Sequence, residues 1–206
     1  MSTELRVLYD ARFASEEDSG IPAAFRMLTR KGTSREETHL AVQTITEELS
    51  AHLRRELLDS DELILLPVLR AAIAMWPVMN REFHSPVTHF CVGDKVKGTD
   101  RVDFMWLKTP PHRGRGANVV ILDTVVATGD TILRLLHDLE ERNILEGNSL
   151  HLLSCYASPI ALERIGSKNV LRSIIVGVVS EGVDSDGYLI PRTNGDIGEK
   201  LFESGA

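Results

Sequence analysis

Short apolar runs with little polar alternation recur along this chain, separated by amphipathic stretches. Glu62–Val68 (ELILLPV), Val119–Leu122, Leu150–Cys155 and Leu171–Val179 are such runs. Segments of this length and character suit strands buried on both faces of a parallel sheet. Between them, helical periodicity predicts helices from Ser34 to about Leu58, over Arg70–Phe83, from Asp130 to Arg142 and over Ser158–Ile165. Ser34 followed by Glu37 is a capping-box signature, and Pro77 must start, end or kink its helix. Pro86–Val92 and Val102–Leu107 are strand-like and flank the polar stretch GDKVKGTDR, the pattern of a flexible β-hairpin flap. Strands alternating with helices predict an α/β fold with a largely parallel central sheet flanked by helices. Residues 1–33 are weakly patterned and read as a peripheral N-terminal arm. Residues 181–206 are rich in Gly and Asp and read as a loop ending in a short helix.

Composition narrows the function. The 206 residues suit one domain, 1–206, without repeats or an interdomain linker. A net charge of -7 argues against general nucleic-acid binding, although His112–Arg115 is locally basic. The first residues, MSTELRVLYDARF, lack a signal-peptide pattern, and no apolar run is long enough to cross a bilayer. Cys91 and Cys155 lie inside apolar segments, as buried reduced thiols do. The expectation is a cytoplasmic protein without a membrane or nucleic-acid partner. No Cys/His cluster has zinc spacing, and no Ser/His/Asp or Cys/His pairing stands out.

One segment carries chemistry, the run VVILDTVVATGDT from Val119 to Thr131. An apolar strand meets an acidic residue, then a turn of small residues, then a helix. Main-chain N–H groups from Ala127 through Thr131 are expected to converge at the helix N-terminus, where unpaired donors and the helix dipole favour an anion. The hydroxyls of Thr128 and Thr131 can add donors. Asp123, at the carboxyl end of the strand, can accept hydrogen bonds from sugar hydroxyls, at the sheet edge where ligands gather. Taken alone, the same residues also describe an ordinary strand–turn–helix junction. The Gly-Lys-Thr/Ser ending of a Walker loop is missing.

This segment resembles the signature of type I phosphoribosyltransferases. Leu66-Pro67-Val68-Leu69-Arg70-Ala71 resembles the P-I-L-R-A-G segment of the uracil phosphoribosyltransferase family. Gly187-Tyr188-Leu189-Ile190-Pro191, followed by Gly195-Asp196-Ile197-Gly198, resembles that family's G-Y-I-x-P-G-x-G-D-A-G-D segment. The resemblance implies the type I phosphoribosyltransferase fold, with a small hood formed by 181–206 and a hairpin flap. It implies transfer of ribose phosphate from phosphoribosyl pyrophosphate to uracil, giving UMP and pyrophosphate. Mg²⁺ would be held mainly by the donor and water, without direct protein ligands. Carried over by position, Arg70, Lys95, Asp123, Ala127, Thr128, Gly129, Asp130, Thr131 and Asp196 bind the donor. Arg70 and Asp123 are the catalytic pair, while Leu189, Ile190, Arg192 and Gly195 border the acceptor. A homo-oligomer, dimeric or larger, is implied as well.

Three departures qualify the carry-over. Asp130 stands where uracil enzymes have a second glycine. Lys95 is the nearest match to the family's flap arginine, and lysine offers a point charge in place of a bidentate grip. The acceptor loop Pro191-Arg192-Thr193-Asn194-Gly195-Asp196 is one residue longer, with Arg192 replacing glycine. Arg192 either points to solvent or meets an anionic acceptor. Two other readings therefore stand beside uracil ribosylation: the same chemistry on another pyrimidine-like or aromatic ring, and a regulator that binds the donor without turnover.

Overall fold

The computed structural model describes residues 3–13, 20–57, 62–83, 86–95, 102–106 and 116–202. Four parallel strands form its centre: β2 (Leu63–Leu69), β6 (Asn118–Val126), β7 (Ser149–Ala157) and β8 (Ser173–Val179), in the spatial order β8–β7–β6–β2. They are apolar at successive positions because both faces are covered. Neighbouring residues of a strand enter opposite layers, so Leu63 and Leu65 join one core while Ile64, Leu66 and Val68 join the other. The first core is closed by α1 (Gly20–Thr29), α2 (Arg35–Arg54), α3 (Trp76–Glu82) and α6 (Ile197–Phe202). The second is closed by α4 (Asp130–Glu141) and α5 (Pro159–Gly166). The α/β architecture expected from the alternation is the one observed.

Local chemistry sets the element ends. Ser34 caps α2: its hydroxyl accepts from the Glu37 N–H, and the Glu37 carboxylate accepts from the Ser34 N–H at 2.8 Å. The segment 70–83 is not one helix. It divides into a 3-10 turn, Ala71–Ala74, and α3, with Pro77 in the first turn where its missing N–H breaks no bond. β6 extends past Leu122 to Val126, so Asp123 lies within the strand and not at its last residue.

The first residues are more than an arm. β1 (Glu4–Asp10) pairs in parallel with β8, from Glu4 opposite Ser173 to Asp10 opposite Val179, and forms the sheet's outer strand. Its pattern is weak because only part of it is covered: Leu8 and Tyr9 pack on the first core while Leu5 and Val7 are exposed.

On the other side, β3 (Val87–Thr88) and β4 (Cys91–Lys95) run parallel to β2. β5 (Val102–Trp106) turns back antiparallel to β4, so the base of the expected hairpin extends the main sheet. Its connection at 96–101, the side chain of Lys95, Lys97 and His112–Arg115 all lie outside the described residues. β9 (Gly182–Val183) and β10 (Leu189–Ile190) form a separate antiparallel ribbon that, with α6, makes the hood. From β2 the chain proceeds to β4 on one side and returns as β6 on the other. Such a reversal opens a crevice at the carboxyl ends of the two strands.

Candidate active site

A cleft of about 780 Å³ opens at that crevice. Its floor is the end of β2 with Arg70 and Ala71, its walls are β6, Gly93 of β4 and Thr131 of α4, and its roof is the hood. Asp123, Val125 and Ala127 all line it, as alternate residues on one face of a strand do. Thr124, between the first two, is fully buried.

The turn after β6 is shaped from behind by α5. The Ser158 N–H donates to the carbonyl of Val126 at 3.0 Å, the Ser158 hydroxyl to that of Ala127 at 2.5 Å, and the Arg164 guanidinium to that of Thr128. In a trans peptide the carbonyl and the following N–H point opposite ways. The following N–H groups, of Ala127, Thr128 and Gly129, therefore each point away from a carbonyl bound to α5, and Ala127 lines the cleft. Gly129, at φ 84° and with Ala161 and Ile165 of α5 against its Cα, is the residue that lets the turn enter α4.

The side chains of this turn differ from expectation. The Thr128 hydroxyl does not reach into the cleft; it donates to the Asp130 carboxylate at 2.6 Å. The other Asp130 oxygen is 2.8 Å from Arg164. Ser158 and Arg164 escaped the sequence reading. The Ser158–Pro159 pair has the signature of a helix start, but nothing local ties Arg164 to a turn 34 residues away.

Arg70 is exposed at the end of β2, and the Leu69–Arg70 peptide is cis. The first turn of α6 packs on this segment, with Gly198 placed where a Cβ would lie 3.6 Å from the Arg70 Cβ. Asp196 lines the cleft and accepts from the Glu199 N–H at 2.8 Å, so it also starts α6.

In the hood, the Asp184 N–H donates to the Tyr188 carbonyl at 2.8 Å, and Leu189 lies opposite Val183. In an antiparallel ladder bonded and non-bonded pairs alternate, so Leu189 directs its own N–H and carbonyl away from β9. Ile190 is not part of the cleft lining: its side chain is exposed and its carbonyl accepts from the Glu181 N–H. Arg192 lines the cleft and is held by its own loop. It pairs with Asp184 and Asp186 and lies 4.5 Å from the centre of the Tyr188 ring. Burial pushes the Asp184 carboxyl up, but the Tyr188 N–H, Arg192 and the Asp186 N–H together hold it below its usual value. Tyr188 and Gly93, both lining the cleft, were not anticipated.

Of the residues singled out from sequence, the cleft thus gathers Arg70, Asp123, Ala127, Thr131, Leu189, Arg192, Gly195 and Asp196. Thr128, Gly129 and Asp130 form the turn's outer side, toward α5. Among the described residues, neither cysteine is prepared as a nucleophile. Burial pushes the Cys91 and Cys155 thiols up to about 12, and burial followed by the nearby Arg172 lowers His151 to about 4.

A parallel sheet with this strand order, an amide-lined turn after an acidic strand and a C-terminal hood define a type I phosphoribosyltransferase. The structure of the AQ2163 protein from Aquifex aeolicus shares the fold with a TM-score of 0.75, at 22% identity, over 90% of this chain and 95% of that one. A purine phosphoribosyltransferase from Pyrococcus horikoshii shares it with a TM-score of 0.51, at 14% identity, over 69% of this chain and 85% of that one.

The family model for uracil phosphoribosyltransferase matches residues 16–204, and the chain belongs to that family. Relatives named uracil phosphoribosyltransferase include one from Aquifex aeolicus, 30% identical over 70% of this chain and 67% of the relative. One from Synechocystis is 28% identical over 68% and 63%, and one from Thermus thermophilus is 26% identical over 78% and 74%. Membership makes the chain a pentosyltransferase. Among the described residues, no helix is long and apolar enough to cross a membrane.

Proposed function

We propose that the chain transfers the ribosyl 5-phosphate of phosphoribosyl pyrophosphate to N1 of uracil, giving UMP and pyrophosphate. One observation carries the reading: the amide-lined turn, the Asp123 carboxylate and the open main-chain edge of Leu189 face a single cleft. Its volume falls in the range of small-molecule sites, roughly 300–1,000 Å³. The turn receives the donor's 5′-phosphate, Asp123 accepts from the ribose hydroxyls, and Arg70 faces the pyrophosphate. The Leu189 N–H and carbonyl form a donor–acceptor pair that complements a ring carbonyl and adjacent ring N–H, as on the imide edge of uracil.

The anomeric C–O bond breaks with its electron pair leaving on pyrophosphate, the N1–C bond forms, and the N1 proton is released. Positive charge grows on the ribose beside Asp123, and negative charge on the leaving group beside Arg70. Fixed placement of donor and acceptor supplies much of the rate, so no protein nucleophile is needed. Among the described residues no group of three or more His, Cys, Asp or Glu converges as a metal cage. Mg²⁺ would be held mainly by donor oxygens and retained waters, with Asp123 and Asp196 at the cleft wall. Bound there, Mg²⁺ supplies charge neutralisation at the pyrophosphate.

A second acceptor class is favoured by Arg192, which stacks on Tyr188 where the family pattern has glycine. A pyrophosphate-release screen with the donor, Mg²⁺ and a panel of nucleobases and aromatic acids separates the readings. Uracil is expected to give the fastest release, and Asp123→Asn or Arg70→Ala to slow it about a hundredfold. Faster release with another ring moves the acceptor assignment to that ring. Donor binding without pyrophosphate release in any acceptor mixture leaves a regulator.

A further inference from the structure

The phosphate-facing turn carries a carboxylate in the first turn of its helix, which a dianionic ligand would oppose. Asp130 opens α4 immediately after the turn whose carbonyls are held by α5. A carboxylate there would compete for the same helix N-terminus and repel a phosphate. The structure shows where it goes instead. Arg164, projecting from the last turn of α5, reaches the Asp130 carboxylate at 2.8 Å with one guanidinium nitrogen and the Thr128 carbonyl with another. The Thr128 hydroxyl holds the second carboxylate oxygen at 2.6 Å. One planar side chain thus bridges the charge that must be turned away and the carbonyl whose direction aims the Gly129 amide at the cleft.

We propose that Arg164 is a positioning residue for the donor's 5′-phosphate, acting by drawing Asp130 out of the phosphate's place and by orienting the Thr128–Gly129 peptide. The inference rests on the reading of the turn as the donor's phosphate site. Arg164 touches neither donor nor acceptor. Its effect belongs to donor binding and is carried through Asp130, so removing the Asp130 charge compensates for losing Arg164. The two side chains are partly exposed, at 44% and 31%, and solvent can replace their pairing without unfolding the helix.

The test compares the whole chain with its Arg164→Ala, Arg164→Lys, Asp130→Asn and Arg164→Ala/Asp130→Asn variants. Ribose 5-phosphate binding is measured by calorimetry, and donor KM and kcat by pyrophosphate release. Thermal melting confirms that each variant is folded. Arg164→Ala is expected to weaken ribose 5-phosphate binding and raise donor KM about tenfold, the scale of one charge-assisted hydrogen bond, with kcat within twofold. Arg164→Lys is intermediate, because lysine keeps the charge and loses the two-point grip. The double variant recovers about threefold of the loss through removal of the repulsion. Unchanged binding in Arg164→Ala, equal loss of kcat and affinity, or no recovery in the double variant overturns the proposal while leaving the phosphate site intact. If the unaltered chain binds neither ribose 5-phosphate nor the donor, the reading of the turn itself fails.

Discussion

The turn at 127–131 and the hood at 182–198 face each other across one cleft but are held in different ways. The turn is fixed by another element: Ser158 and Arg164, both presented by α5, take three of its carbonyls. The hood is fixed largely within itself, by the Arg192 pairs with Asp184 and Asp186, the stack on Tyr188 and short-range turn bonds. It is tied to the core as well: the Tyr156 hydroxyl donates to the Pro191 carbonyl and the Asn194 N–H to the Leu28 carbonyl, both at 2.8 Å, and Leu189 and Ile197 are buried in the first core. The difference teaches that the turn takes its geometry from α5, a helix of the second core. The acceptor end depends on exposed ion pairs that water and salt weaken. Substitution at Arg192 is expected to reshape acceptor choice more than donor binding.

The sharpest way to break this contrast is Gly129→Ala. Positive φ strains any side chain there, and an added methyl would sit 3.3 Å from the Ile165 side chain, so the turn or its neighbour must give. Donor KM is expected to rise about tenfold or more from a conformational cost of ~1–2 kcal/mol plus the clash. Acceptor KM, measured at saturating donor, changes far less. Equal increases in both would show that the two ends are coupled.

Arg192→Ala probes the other side with a smaller effect. Loss of the exposed clamp is expected to change acceptor KM by about threefold, in line with exposed ion pairs and a surface cation–π contact. Donor affinity stays unchanged, and the wild-type acceptor KM moves toward that of the variant in high salt. A tenfold change in donor KM would contradict the separation.

The smallest effect is the titration of Asp184. Its carboxyl is held down in the folded chain, so the stabilisation it contributes is present above its unfolded value and lost as pH falls through the folded value. Side-chain NMR should find it ionising below about 3.9, the ordinary aspartate value. In Arg192→Ala it should move upward. An ordinary value in the unaltered chain would show that the clamp does not persist in solution.

Much of the fold was legible because it follows from neighbours in sequence. Strands buried on both faces must be apolar at successive positions, and a capping box needs only Ser34 and Glu37. β1 was not legible, because a strand covered on one side carries too weak a pattern until β8 lies beside it. The division of 70–83 into a turn and α3 was only half legible: Pro77 announced an end without saying which.

The sequence alone determined that an acidic strand runs into a small-residue turn and then a helix, and that Arg70 and the Gly187–Gly198 segment carry the family's pattern. Those properties reside in consecutive residues and can be read without knowing what packs around them. The tertiary structure decided which way the turn's amides face, where the Asp130 charge goes, and that Arg192 is spent on its own loop while Ile190 faces away from the cleft. Each of those outcomes depends on a partner that folding brings near, such as α5 behind the turn or β9 beside β10. A hydrogen bond between residues 34 positions apart leaves no local trace in the chain that encodes it.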